Sequence, residues 1–403
     1  MNYHQSNAAF QEAKNTDHIE GPQHPTPGLK KIDVAGFARD INQLKKETYA
    51  SISEKDLDHL KRVEMYGKVG TVLGLGTAWI IPNPISAFLI SMGLFTRWLL
   101  AHHITHRGYD RVPNVPKKYH SKHFARGWRR FIDWFDWILP AAWDHEHNEL
   151  HHYHTGEDED PDLVERHLEF FRALKIPRPI KYLLVILAGC TWKFTYYAPN
   201  TMSVLDPVDQ KPLKSEHIVF ITIKNIFNFK NRHVRRLWTQ CYLPYATVHF
   251  AIIPLLFFPL GKTAVLFVLI NKLIAEVMTN FHSFLVVAPN HTADDLYRFD
   301  FHYDKKEEFY VTQVLGSANY YCGTELIDYA SIWLNYQIEH HLFPELPMTK
   351  YREIQPKIKA LCEKYNLPYK QEHMFKRFKR MCDIAVGKTS MMQLKSFDEI
   401  VRA

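Results

Sequence analysis

Polar and apolar positions are unevenly distributed along this chain. Residues 1–61 are polar, with Gly21-Pro22 and His24-Pro25-Thr26-Pro27-Gly28 as breakers. They read as a disordered start followed by a polar helix over 33–62. Residues 66–81 and 84–101 then form two apolar runs separated only by Pro82-Asn83. Both are at the short end for a membrane crossing, which takes about 20 apolar residues. Arg97 lies one turn from the end of the second run, within reach of a polar surface. A buried hairpin in a soluble bundle is the competing reading of this pair. From 102 to 240 the chain is mostly polar and basic. Within it, 131–143 (FIDWFDWILPAAW) predicts a segment lying at a membrane interface, and 182–199 is apolar enough to be a candidate crossing. Residues 241–260 and 263–287 make a second apolar hairpin around Gly261-Lys262. In its last run Lys272 and Glu276 are four apart, which predicts a pair on the bundle-facing side. Beyond Pro347, 351–365 reads as an amphipathic helix. The basic stretch 370–380 is suited to lipid head groups or to a solvated face. The pattern divides the chain into a polar segment 1–61, a membrane domain 62–347 and an amphipathic basic tail 348–403.

Composition changes this picture in two ways. The mean hydropathy of −0.29 requires a large water-facing part beside the apolar runs. The net charge of +7 fits contact with anionic lipid or an acidic protein partner; no nucleic-acid partner is expected. Cys190, Cys241, Cys322, Cys362 and Cys382 form no CxxC pair, which argues against a disulfide framework or thiolate metal site and fits a reducing compartment. The first 60 residues lack the apolar core of a secretory signal.

The chemistry lies in the histidines, which number 24. His102 and His106 are i,i+4 on one helix face where the second apolar run ends; His103 faces elsewhere. His147 and His151 repeat that spacing, with His152 adjacent, while His145 and His154 have no such placement. The third cluster is Asn335-Tyr336-Gln337-Ile338-Glu339-His340-His341-Leu342-Phe343-Pro344, where Gln337, His340 and His341 share a helical face. One HxxxH is a weak signal, but three clusters at membrane exits predict one metal site assembled by folding. A single site needs all three clusters on the same side of the bilayer. Four crossings satisfy this and a fifth at 182–199 does not, so that segment is expected at the interface. The basic excess in 107–240 places the site in the cytoplasm. Imidazole suits several metals, but seven clustered histidines with Gln337 exceed the needs of one tetrahedral zinc. Paired ExxH motifs of carboxylate-bridged bundles are missing, and no nucleophile pattern accompanies a hydrolytic zinc. Two irons that activate dioxygen against an unactivated C–H bond of a long apolar substrate fit best.

The boxes His102-x3-His106, His147-x3-His151-His152 and Gln337-x2-His340-His341 resemble those of the membrane fatty acid desaturases. The wording from Asn335 to Pro344, with Leu346-Pro347 following, is similar to the front-end subgroup, as is His147-Asn148-Glu149-Leu150-His151-His152. The resemblance runs from about 65 to 370 and includes 313–320. It implies an all-α integral membrane protein with four transmembrane helices in two hairpins and a cytoplasmic helical cap carrying a histidine-rich di-iron site. It implies two Fe ions, O2 as co-substrate leaving as water, and a fatty acyl lipid or acyl thioester as substrate. It also implies a further ligand between the last apolar run and the third box: His291, three residues before Asp294, with His282 as the alternative. Gln337 stands where many desaturases have histidine, so it ligates weakly or holds a water. The acidic run 157–162 offers carboxylates that accept an N–H from a ligating imidazole. The basic run 117–130 (KKYHSKHFARGWRR) suits an acidic redox protein, or reflects the positive-inside bias. The heme-binding HPGG wording of a fused cytochrome b5 is absent. A separate donor is therefore expected, a ferredoxin, rubredoxin or cytochrome b5, as in the shorter bacterial members, together with a bacterial inner membrane. A hydroxylase on the same scaffold shares every ligand. A histidine-rich metal transporter would need polar residues lining several crossings, and the first three offer few.

Overall fold

Two caps decide how the chain begins to fold. The Asp33 carboxylate accepts from Gly36 N at 2.9 Å and starts the Val34–Ala50 helix. Ser53 N then donates to the Asp56 carboxylate at 2.8 Å, and the Glu54–Ala78 helix begins there. The single polar helix predicted over 33–62 is thus two helices, the second running on into the first apolar run. The computed structural model describes residues 29–206, 211, 213, 218 and 220–401; the disordered start expected before residue 29 lies outside them. Among the described residues the chain is mostly helical.

Among the described residues, three helices are long and apolar enough to cross a membrane: Pro84–Thr105, Arg232–Leu260 and Lys262–Asn290. The second begins nine residues before the apolar run that predicted it. Fourth among the expected crossings, Glu54–Ala78 falls short by composition, because its first half is charged. Its apolar half still packs along Pro84–Thr105 and turns Val69, Val72 and Leu73 outward. Ile85, Phe88, Leu255, Leu256 and Leu266 are also exposed, an apolar belt larger than water tolerates. Small residues set the approach of the first hairpin. A Cβ on Gly67 would meet Thr96 Cβ at 2.5 Å, and one on Gly74 would meet Ile90 N at 2.8 Å. Gly67→Ala is therefore expected to destabilise by about 1–3 kcal/mol through overpacking. Thermal unfolding in detergent measures this, and adding Thr96→Gly, which removes all three crowded atoms, should recover part of it.

Asn271 closes the far end of this hairpin. Its Oδ1 accepts from Asn83 N at 2.9 Å and its Nδ2 donates to Ala78 O at 2.9 Å, so the turn's backbone is satisfied where water is scarce. Lys272 and Glu276, predicted to pair, each make their direct hydrogen bonds with other residues. Lys272 Nζ donates to His249 Nδ1 at 2.6 Å, and Glu276 accepts from Trp137 Nε1 at 2.6 Å and Tyr245 OH at 2.8 Å. Those partners come from distant segments that helix spacing cannot anticipate.

The aromatic run 131–143 also differs from expectation. Only Phe131 and Ile132 stay exposed; Trp134, Phe135, Trp137, Ile138 and Trp143 are buried in the main core. The Arg178–Gly189 helix exposes Ile180, Leu183 and Leu187. At 1.5 Å per residue it reaches only about 18 Å, too short to cross a hydrocarbon core of about 30 Å. Much of 348–401 packs into the main core. Met348–Lys364 buries Tyr351, Ile354 and Ile358. Short parallel pairs join Tyr297–Phe299 to Met392–Leu394 and Asn319–Tyr320 to Gln371–Glu372. In the basic stretch, Arg377 is fully buried against Asp295, and Arg380 pairs with Asp294 and Glu372.

Candidate metal centre

The last turn of Pro84–Thr105 carries His102 and His103, and His106 caps it. The second cluster lies on a wider turn than its spacing predicts. Pro140–His145 is α-helical, but Glu146–His151 is π-helical, so positions five apart share a face. His147 consequently lies close to both His151 and His152, with ring centroids 5.2 and 4.9 Å away. The third cluster sits on the short Gln337–Leu342 helix. It follows Ile332 and Trp333, whose φ values of 49° and 58° place two side-chain-bearing residues in the left-handed region. His103 and the Ile332 carbonyl are hydrogen-bonded at 2.8 Å, so this ring ties the first box to the turn that launches the third.

The boxes converge. His102, His106, His147 and His340 place one ring nitrogen each within 4.8 Å of one another, and His151, His291 and His341 do the same. His152 lies between the groups, 4.4 Å from His106, 4.7 Å from His340 and 4.2 Å from His341 by ring centroids. His340 and His341 are consecutive, yet their planes are 89° apart and they join different groups. Among the described residues, His106 Nε2, both nitrogens of His147 and His152, and His341 Nε2 are buried without a hydrogen-bond partner. Burial and then the neighbouring rings hold His147, His152, His340 and His341 well below the usual histidine range. Burial likewise pushes His291 down to about 3. Neutral imidazoles with unpartnered nitrogens are costly in a protein interior and are the donor set that first-row metals bind.

The profile of the Fatty acid desaturase family matches residues 77–373. This chain belongs to the fatty acid desaturase family. Its relatives include the NADPH-dependent stearoyl-CoA 9-desaturase of Mycobacterium tuberculosis, 36% identical over 101 residues, which cover 24% of this chain and 23% of the relative. Fatty acid desaturase 3 of Bos taurus is 51% identical over 51 residues, 12% of each chain. Delta(8)-fatty-acid desaturase 2 of Arabidopsis thaliana is 36% identical over 81 residues, 20% of this chain and 17% of the relative. The matched stretches thus span less than a quarter of these relatives' lengths. No solved structure matches.

Around this desaturase centre, neighbouring groups orient several rings. Asp160 accepts from His151 Nδ1 at 2.8 Å, and Gly156 N also donates to its carboxylate. Burial works against the charged His151 ring, but Asp160 outweighs it and raises the pKa. Asp160 is the member of the predicted acidic run that touches a clustered histidine. Gln313 Oε1 and Thr155 Oγ1 meet His341 Nδ1 at 2.8 and 3.2 Å, and Tyr351 OH meets His340 Nδ1 at 3.1 Å. Gln337 Nε2 lies 2.7 Å from His291 Nε2 and Gln337 Oε1 accepts from Asn290; the glutamine stands beside the second group. His282 is apart from both groups. Its Nε2 meets the Ala330 carbonyl at 2.7 Å and its ring stacks on Phe95 at 3.9 Å.

Two further carboxylates lie nearby, one inside the predicted acidic run and one outside it. Asp162 lies with His147 and His151, one oxygen within 4.8 Å of their nitrogens. Glu146 is fully buried, both oxygens lack a partner, and burial followed by the charge of Asp162 holds its carboxyl well above the usual range. A glutamate directly before His147 is the signal that was available for it. Its burial comes from the π-helical turn, which periodicity does not reveal.

Proposed function

We propose that this chain is an O2-dependent desaturase that converts a –CH2–CH2– unit of a fatty acyl chain into –CH=CH–. The reaction balances as acyl chain, O2, two electrons and two protons giving the alkene and two waters. Two hydrogens leave the substrate, and the two electrons arrive from a redox carrier. The observation that carries this reading is the convergence of eight imidazoles from four separated segments, with six of their nitrogens, on His106, His147, His152 and His341, buried without a partner.

His102, His106, His147 and His340 would hold one iron, and His151, His291 and His341 the other, with His152 between the groups. Bound there, the irons would supply O2 activation and abstraction of unactivated hydrogens. Asp160 fixes the ring of His151, Gln313 and Thr155 that of His341, and Tyr351 that of His340. Gln337 would act on the second iron through His291 or as a weak ligand. The buried cap excludes bulk water from the reacting carbons. The apolar belt supports an acyl lipid or thioester drawn from the bilayer. The apolar half of Glu54–Ala78 supplies the fourth crossing, which puts the cap on the cytoplasmic side of a bacterial inner membrane under the basic bias of 107–240. Lys117, Lys118 and Lys122 give an acidic ferredoxin, rubredoxin or cytochrome b5 a docking face.

Expression in a host of known fatty acid content, with acyl products identified by mass spectrometry, tests the reading. New double bonds support it. Hydroxylated chains, or an unchanged profile from folded, iron-loaded protein, refute it. A second outcome concerns orientation: Asp160→Asn keeps the shape but loses the charge beside His151. It should weaken iron retention against a chelator about 10–100-fold, the usual effect of removing an outer partner of a ligating histidine.

A further inference from the structure

A second histidine–carboxylate group lies on the cap surface, away from the buried rings. His154, Glu157 and His302 each place a potential ligand atom within 4.8 Å of the others. Glu157 is buried, His154 is half-buried and His302 is exposed. We propose that these three side chains form a separate site for a divalent cation of the zinc type.

The three groups already point at one position. His154 Nδ1 and His302 Nδ1 both lie 2.9 Å from the same oxygen, Glu157 Oε2. Ligand atoms on a tetrahedral zinc with bonds near 2.0–2.1 Å are about 3.3 Å apart, so the two histidine–glutamate distances need widen by only a few tenths of an ångström, and the two ring nitrogens already lie within 4.8 Å of each other. The other carboxylate oxygen, Glu157 Oε1, is anchored by Tyr303 N at 3.1 Å, which leaves Oε2 directed at both rings. His302 Nε2 lies 3.4 Å from Glu159 Oε1. A carboxylate near the far ring nitrogen can accept its N–H once Nδ1 has exchanged its own proton for a cation, the arrangement typical of metal-bound histidine.

The backbone is equally prepared. Glu157 N donates to His154 O and Phe299 N donates to Gly156 O, both at 2.8 Å. The two ligand-bearing segments are therefore held together before any ion binds, which lowers the ordering cost of binding. Two imidazoles and one carboxylate leave a fourth position for water. A cation there clamps the loop that carries Asp160 and Asp162 to the segment ahead of the Lys306–Leu315 helix.

The site stands independently of the proposed reaction, and its test reads metal alone. Full-length protein in detergent is first saturated with iron, then dialysed against micromolar ZnCl2, and both metals are counted per chain. Wild type is expected to take up one zinc with its iron unchanged. His302→Ala and His154→Ala should each weaken that uptake at least tenfold at the same iron content. Equal zinc in wild type and variants, zinc gained only as iron is lost, or variants that lose iron in parallel would each overturn the proposal. His302 is exposed, so its replacement tests the site without endangering the fold.

Discussion

Replacing His340 and His341 together with alanine will leave a folded protein that holds no iron and makes no unsaturated product. Each of these rings reaches a different group of nitrogens, so one double variant removes a donor from both. The loss extends further, because His340 Nε2 lies 3.0 Å from His102 Nε2 and the His341 ring stacks on that of His152. Both rings are fully buried, and the space they vacate cannot supply substitute ligands. Iron per chain, counted after purification, should fall from about two to below detection, the two-metal occupancy expected of histidine-rich shells that exceed one tetrahedral ion. Near-normal helical circular dichroism should persist, since both replaced residues lie on one six-residue helix. Product formation in the variant, or iron retained at the wild-type level, would refute the assignment of these rings.

Asp328→Ala should be the most damaging substitution outside the histidines. The Asp328 carboxylate is fully buried and accepts from Asn335 Nδ2 at 2.6 Å, Tyr336 OH at 3.0 Å and Arg352 Nε at 2.8 Å. It thereby holds the first two residues of the Asn335–Pro344 wording and joins them to the Met348–Lys364 helix. Alanine leaves the Asn335 amide and the Tyr336 hydroxyl buried without their acceptor, a cost of about 1–3 kcal/mol each. Arg352 is more than a third exposed and rehydrates, so the ion pair itself adds little. A total of about 3 kcal/mol is a large part of the stability of an ordinary domain. It should appear as a lower thermal midpoint in detergent and faster loss of iron. Asp328→Asn, which keeps acceptor capacity on one oxygen, should fall between alanine and wild type.

The spacing His102-x3-His106 was legible because that segment is a regular α-helix to its end. The family resemblance pointed to His291, with His282 as the alternative, and the His291 ring lies with His151 and His341. Periodicity failed where the backbone leaves the α-helix. The π-helical turn changes which residues of the second box share a face, and no residue type announces it. It failed again at Lys272, whose partner His249 and whose neighbour Glu276's partner Trp137 arrive from other segments. The break after Ala50 was readable in principle, since Ser53 and Asp56 have capping-box spacing, but uniform polarity over 33–62 concealed it. The burial of Trp134 and Trp137 was not readable, because an aromatic run looks alike at a lipid interface and in a core.

The perpendicular rings of His340 and His341 have a mechanical consequence. Consecutive residues on one short helix cannot move independently, so a displacement of Gln337–Leu342 carries a donor of each group in step. Relative adjustment of the two groups must come instead from segments that serve one group alone, the end of Pro84–Thr105 with His102 and His106 for the first and the stretch around His291 for the second. The third box is the gauge that keeps the two groups in step.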